Sequence, residues 1–140
     1  MAAELSQIPS ALPSAGSTGV RLRAFALASI LLGAGTLHFA LPKFYDATIP
    51  PQLPGKPRTY TQVSGVIEFG IGTLILVPRT RGFGARLAAL LFIAVFPANV
   101  QMAYDWVRSG RPAPLKAGAL LRLPLQIPLV TTARTVYRAA

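Results

Sequence analysis

The chain has 140 residues, enough for one domain, with 52% hydrophobic and only 13% charged residues, far from the soluble balance of about 25% charged. Its formal net charge is +10, but the basic residues fall in small groups between apolar runs (Arg21 and Arg23; Arg79, Arg81 and Arg86; Arg108, Arg111 and Lys116), which argues against a nucleic-acid partner. The absence of cysteine excludes disulfides and thiolate chemistry, and the single histidine excludes a two-histidine haem or a histidine-rich metal site within one chain.

Residues 1–20, MAAELSQIPSALPSAGSTGV, are rich in Ser, Ala, Pro and Gly and are expected to form a disordered tail. One membrane domain is expected over residues 21–138. Its first span is AFALASILLGAGTLHFAL, residues 24–41, in which only Ser29, Thr36 and His38 are polar, so the helix is apolar nearly all round. Without a small-x-small cleavage pattern it is expected to be a retained span rather than a signal peptide. The stretch that follows, Pro42 to Tyr60, holds five prolines and is expected to form a stiff, extended cap instead of a regular helix.

A second span covers residues 61–77, TQVSGVIEFGIGTLILV, with Glu68 inside and with Gly65 and Gly72 suited, like Gly33 and Gly35 in the first span, to close helix contact. Those glycines allow packing within one bundle or between two copies, so a homo-oligomer stays open. The short basic joint PRTRGFGA makes the second and third spans a tight antiparallel pair. The third span, residues 86–104, carries twelve consecutive apolar residues before Asn99 and Gln101, with a kink expected at Pro97. The fourth, residues 118–133, contains LLRLPLQIPLV, in which lipid should reject Arg122 and Gln126 and a helix should reject Pro124 and Pro128.

Four runs of roughly 17 residues or more, poor in charge, predict an all-α integral membrane four-helix bundle. Both termini then share a side. Three arginines crowd the short joint near Arg81, while Asp46 and Asp105 lie opposite, which favours cytoplasmic termini in the plasma membrane. Phe44, Tyr45, Tyr60, Tyr104 and Trp106 then line the outer interface.

Counted from the span ends at 1.5 Å per residue, His38, Glu68, Asn99 and Arg122 lie about 6–10 Å below the outer interface, with Gln126 one turn deeper than Arg122 on the same face. An unpaired charge in hydrocarbon is costly, so Glu68 and Arg122 are expected to face inward and pair. The cluster is either an internal brace or a ligand pocket. In a pocket, Arg122, His38 and Gln126 offer donors to a carbonyl or anionic group, and Glu68 serves proton transfer.

The runs GAGTLHFALPKF, IPPQLP, SGVIEFGIGTLILVPRTR, VFPANVQMA and RLPLQIPL, between residues 33 and 129, resemble the DoxX family of small bacterial membrane proteins, in particular its DoxX-like branch. The resemblance implies a four-helix protein of the bacterial plasma membrane. Some relatives are subunits of a thiosulfate:quinone oxidoreductase and others accompany oxidoreductase or oxidative-stress complexes. Carried onto this chain, the motif positions are His38, Phe39, Pro42, Glu68, Pro97, Asn99, Arg122, Pro124 and Gln126. No catalytic residue follows from the resemblance.

Two function classes follow. In one, the chain is a redox-associated membrane subunit that binds a quinone or similar lipophile at His38, Glu68, Asn99, Arg122 and Gln126, with electrons coming from a partner protein. No covalent cofactor and no metal are expected. In the other, it is a non-enzymatic transporter or membrane scaffold in which the Glu68/Arg122 pair is a structural brace.

Overall fold

The computed structural model describes residues 15–140. Among these residues the chain is all-helical, without strands, in the order α1 (Ala15–Ala40), α2 (Pro42–Asp46), α3 (Pro57–Leu76), α4 (Arg81–Arg108) and α5 (Ala113–Ala139). The four long helices cover the four expected apolar runs, of which the first two end one residue beyond their helices, at Leu41 and Val77, and they extend past the other ends. α1 starts at Ala15, so residues 15–20 of the expected tail are helical; the remainder of that tail lies outside the described residues. Nothing in GSTGV breaks a helix strongly enough to oppose the apolar run that follows.

Proline sets three helix starts. Pro42, Pro57 and Pro114 each occupy one of the first two positions of α2, α3 and α5, where the missing N–H would have had no helical partner. The cap is therefore not extended throughout, as the proline count had implied: it opens with the short helix α2 and continues in turns to Lys56, with Gly55 at a φ of 88°. Pro97, Pro124 and Pro128 sit inside continuous helices.

α1 packs along α3 and α4 along α5, with narrower seams joining α3 to α4 and α1 to α5. α3 and α4 are thus neighbours, pressed together at their joint, where Gly84 meets the backbone of Ile75, but each packs more extensively on another helix. At that joint Thr80 and Arg81 donate to the carbonyls of Leu74 and Ile75, at 2.8 and 3.0 Å, satisfying the end of α3. Along the α1/α3 seam, a Cβ on Gly35 would lie 2.8 Å from the Phe69 backbone nitrogen and 2.9 Å from the Gly65 carbonyl oxygen, so the helices meet backbone to backbone.

The core has two apolar parts. The larger joins Leu27, Leu31, Ile75, Phe92 and Val136 with alanines of α1, α4 and α5. The smaller holds Met102, Ala103, Trp106 and Ala119, nearer the α2 end of the bundle. His38, Asn99 and Gln126 are the buried polar side chains of the long helices apart from Thr61. α1 and α4 are long and apolar enough to cross a membrane. α3 and α5 fall short because they carry Glu68 and several hydroxyl and amide groups, or Arg122, Gln126 and three prolines.

Candidate functional site

His38 stands in the last turn of α1, facing α3 at Gly65, where only hydrogen leaves room for its Cβ. Its Nδ1 lies 2.7 Å from the carbonyl oxygen of Ala34, one turn back, so Nδ1 must carry the proton it donates there. The same nitrogen lies 3.3 Å from Glu68 Oε2. One N–H cannot serve both acceptors well, and Glu68 Oε2 is left shielded from solvent without a hydrogen bond. The other ring nitrogen, Nε2, is then an acceptor.

Tyr45, from α2, lies over the His38 ring with centroids 3.9 Å apart. Burial, then the neighbouring Glu68 carboxyl, pushes its phenol above the ordinary value, so Tyr45 stays neutral at physiological pH.

Arg122 does not form the expected ion pair with Glu68. It is exposed, at the rim of a cleft of about 210 Å³ that it shares with Phe44, Thr48, Met102, Trp106 and Ala119. Its charge still reaches Glu68, His38 and Tyr45. Instead Phe44 and Thr48, from α2 and the turn after it, share the cleft with Arg122, while Tyr45 lies over His38. Gln126, one turn deeper, is buried and donates across the bundle to the Phe92 carbonyl oxygen, one residue before the Ile93 carbonyl that Pro97 deprives of its helical donor. Asn99 is buried on α4, and its amide makes no hydrogen bond among the described residues.

Of the five residues singled out by depth, His38 and Glu68 are therefore in contact and Arg122 acts on both through space. Gln126 is spent on the backbone, and Asn99 is unspent. Two residues assigned to the outer interface turn inward instead. Tyr45 covers His38, and Trp106 is buried, donating from Nε1 to the Ala47 carbonyl oxygen at 3.3 Å with Arg111 stacked 4.6 Å from its ring. No sequence signal separated these two from the exposed Phe44 and Tyr104. Trp106 and Arg111 also line a second cleft, of about 310 Å³, beside Asp105, whose buried Oδ2 has no hydrogen-bond partner among the described residues while Oδ1 accepts from Gln101.

Among the described residues, no group of three or more His, Cys, Asp or Glu side chains could hold a metal ion. A family model described as a domain of unknown function (DUF8561) matches residues 27–137. The chain belongs to this family. No curated protein and no solved structure matches it. The matched DUF8561 region contains every residue of the polar cluster, from His38 on α1 to Gln126 on α5.

Proposed function

We propose that this DUF8561 protein is a four-span protein of the bacterial plasma membrane that binds the polar head of a quinone-like lipophile between His38, Glu68, Asn99 and Arg122, in the service of a redox partner protein. Support for four spans comes from the outward faces of all the long helices. Besides α1 and α4, α3 exposes Val63, Val66, Ile67, Phe69 and Leu76, and α5 exposes Leu120, Leu121, Leu125 and Ile127. Apolar surface on that scale belongs against lipid rather than water. A 20-residue α3 is about 30 Å long, the thickness of the hydrocarbon. Both ends of the chain then lie on one side, and the basic joint at residues 78–81 favours the cytoplasm for that side.

The observation that carries the ligand reading is that the cluster does not satisfy itself. A brace consumes its donors internally, as Gln126 does. Here, among the described residues, the exposed Arg122 guanidinium and the Asn99 amide form no hydrogen bond, while the shielded Glu68 Oε2 accepts none. Groups left in that state in a membrane protein are expensive unless something else meets them. A ring carbonyl placed between α3 and α5 accepts from Arg122 or Asn99, and Glu68 with His38 holds or delivers the proton that accompanies each electron. A quinone supplies the two-electron, two-proton capacity, and the electrons come from the partner. The resemblance to DoxX proteins points the same way.

The test is mass spectrometry of lipophiles extracted from gently purified protein. A stoichiometric isoprenoid quinone is expected in the native chain and a tenfold or greater loss in Arg122→Ala, about 1.4 kcal/mol of binding. Bulk phospholipid alone in both samples would reject the ligand site. It would favour the scaffold reading, in which the His38–Glu68 contact ties α1 to α3 and Gln126 ties α5 to α4.

A further inference from the structure

The two ends of the bundle are charged in different ways. All described acidic residues, Asp46, Glu68 and Asp105, belong to the half that carries α2, as do the three lysines, Lys43, Lys56 and Lys116. The opposite half carries seven basic residues, every one an arginine, and no described Asp or Glu. Arg81 is committed there to the carbonyls of Ile75 and Leu76. Arg21, Arg23, Arg79, Arg86, Arg134 and Arg138 are exposed.

These six form two tiers. Arg21, Arg23, Arg79 and Arg138 lie at the end of the bundle, and Arg86 and Arg134 stand about one turn further in, on α4 and α5. Between and below them the surface is apolar: Leu22 is 65% exposed, Phe83 61% and Tyr137 45%. A guanidinium over an apolar shelf, repeated around a helical bundle, matches an amphiphile with a phosphate head and hydrocarbon tails. The planar fork of arginine bonds two phosphate oxygens at once, whereas lysine is a single point charge. A soluble acidic protein would meet the charge but would leave the apolar shelf uncovered.

We infer that this all-arginine end of the bundle is a binding surface for the headgroups of anionic phospholipids, whose acyl chains lie along Leu22, Phe83 and Tyr137. The inference rests on the membrane-spanning reading but not on the ligand site near His38, which lies at the other end. The lipid thereby fixes the depth and orientation of the bundle, because the opposite end, with its acidic residues, has no comparable affinity.

The test uses the full chain in mild detergent, offered equal amounts of phosphatidylglycerol and phosphatidylcholine, with retained lipid counted by native mass spectrometry. At least tenfold preference for phosphatidylglycerol is expected for the native chain. The same preference is expected for the variant with Arg108→Gln, Arg111→Gln and Lys116→Gln at the other end. It should fall to parity when Arg79, Arg86, Arg134 and Arg138 are all replaced by Gln, and fall part-way in the milder pair Arg134→Gln and Arg138→Gln. No preference in the native chain, or an undiminished one in the milder pair, would overturn the inference. Displacement of the lipid by millimolar inorganic phosphate would assign the surface to free phosphate instead and equally overturn it. Failure of the native chain to float with vesicles of either lipid would remove the membrane reading itself, whereas flotation without lipid preference would remove only this inference.

Discussion

Gly35 and Gly33 lie on the same helix two residues apart, and alanine at the two positions should act in opposite directions. At Gly33 a new Cβ meets nothing within 4 Å, so Gly33→Ala gains only the better helix propensity of alanine, about 1 kcal/mol at most. At Gly35 the same Cβ would sit 2.8 Å from the Phe69 nitrogen and 2.9 Å from the Gly65 oxygen. Both are backbone atoms of α3, which cannot rotate aside, so α1 and α3 must separate by about half an ångström along a seam that otherwise packs closely. Overpacking of this kind costs about 2–3 kcal/mol, against the same propensity gain of about 1. The net loss is about 1–2 kcal/mol. Because both variants share the propensity contribution, the difference between them isolates the clash, about 2 kcal/mol or a factor of about 30 in the folding equilibrium. Reversible unfolding in mixed micelles, followed by circular dichroism as the denaturing detergent fraction rises, measures it. Equal stability of the two variants would refute the close α1/α3 approach and, with it, the geometry that brings His38 to Glu68.

Two further outcomes concern the connection between α1 and α3. Asp46 accepts from Arg58 Nε at 2.9 Å and from Thr61 at 2.7 Å, clamping α2 to the start of α3. The hydrogen bond from Arg58 is the main cause of a carboxyl held below its usual range, so the folded chain binds this proton less readily than the unfolded one. The contribution of the clamp is thus full above about pH 4 and is lost as pH falls through the lowered value. Protection of residues 47–56 against hydrogen exchange, taken relative to the intrinsic amide rate at each pH, should fall on acidification of the native chain and be already low, with little pH response, in Asp46→Asn; identical protection profiles would count against the clamp. Trp106→Phe keeps an aromatic ring, though a smaller one, and removes the donor to Ala47, so an unpaired carbonyl and lost packing together should cost about 2 kcal/mol in the same micelle assay. A loss below a few tenths would mean that Ala47 finds another donor.

Sequence reasoning located the polar cluster because depth is a one-dimensional quantity. His38, Glu68, Asn99 and Arg122 are each counted from a span end, and helix rise converts the count to height. Azimuth is harder. Whether Glu68 meets His38 or Arg122 depends on how α1 and α3 rotate to bring Gly35 and Gly65 together, and on α2 folding over the bundle beside α5. Neither follows from the spacing of polar residues on separate helices. The same limit explains Tyr45 and Trp106: an aromatic residue at a span end is equally at home at the lipid interface and inside the bundle. The start of α2 was legible in principle, since Pro42 suits a first helical position, but five prolines in one stretch outweighed it.

The unexpected pairing changes what the cluster can do. A direct Glu68–Arg122 bridge would neutralise both charges and close the site. With His38 beside Glu68, tied by its own N–H to Ala34, the carboxyl is positioned yet not satisfied, and Arg122 is free to answer a group that enters from the cleft. The elements holding these two halves differ in stiffness: α1 and α3 are locked backbone to backbone, whereas α4 and α5 contain Pro97, Pro124 and Pro128 and give up helical hydrogen bonds. The proposed ligand, joining Glu68 on α3 to Arg122 on α5, would bridge these two pairs, and the energy of that bridge would be available to move α5 against α3.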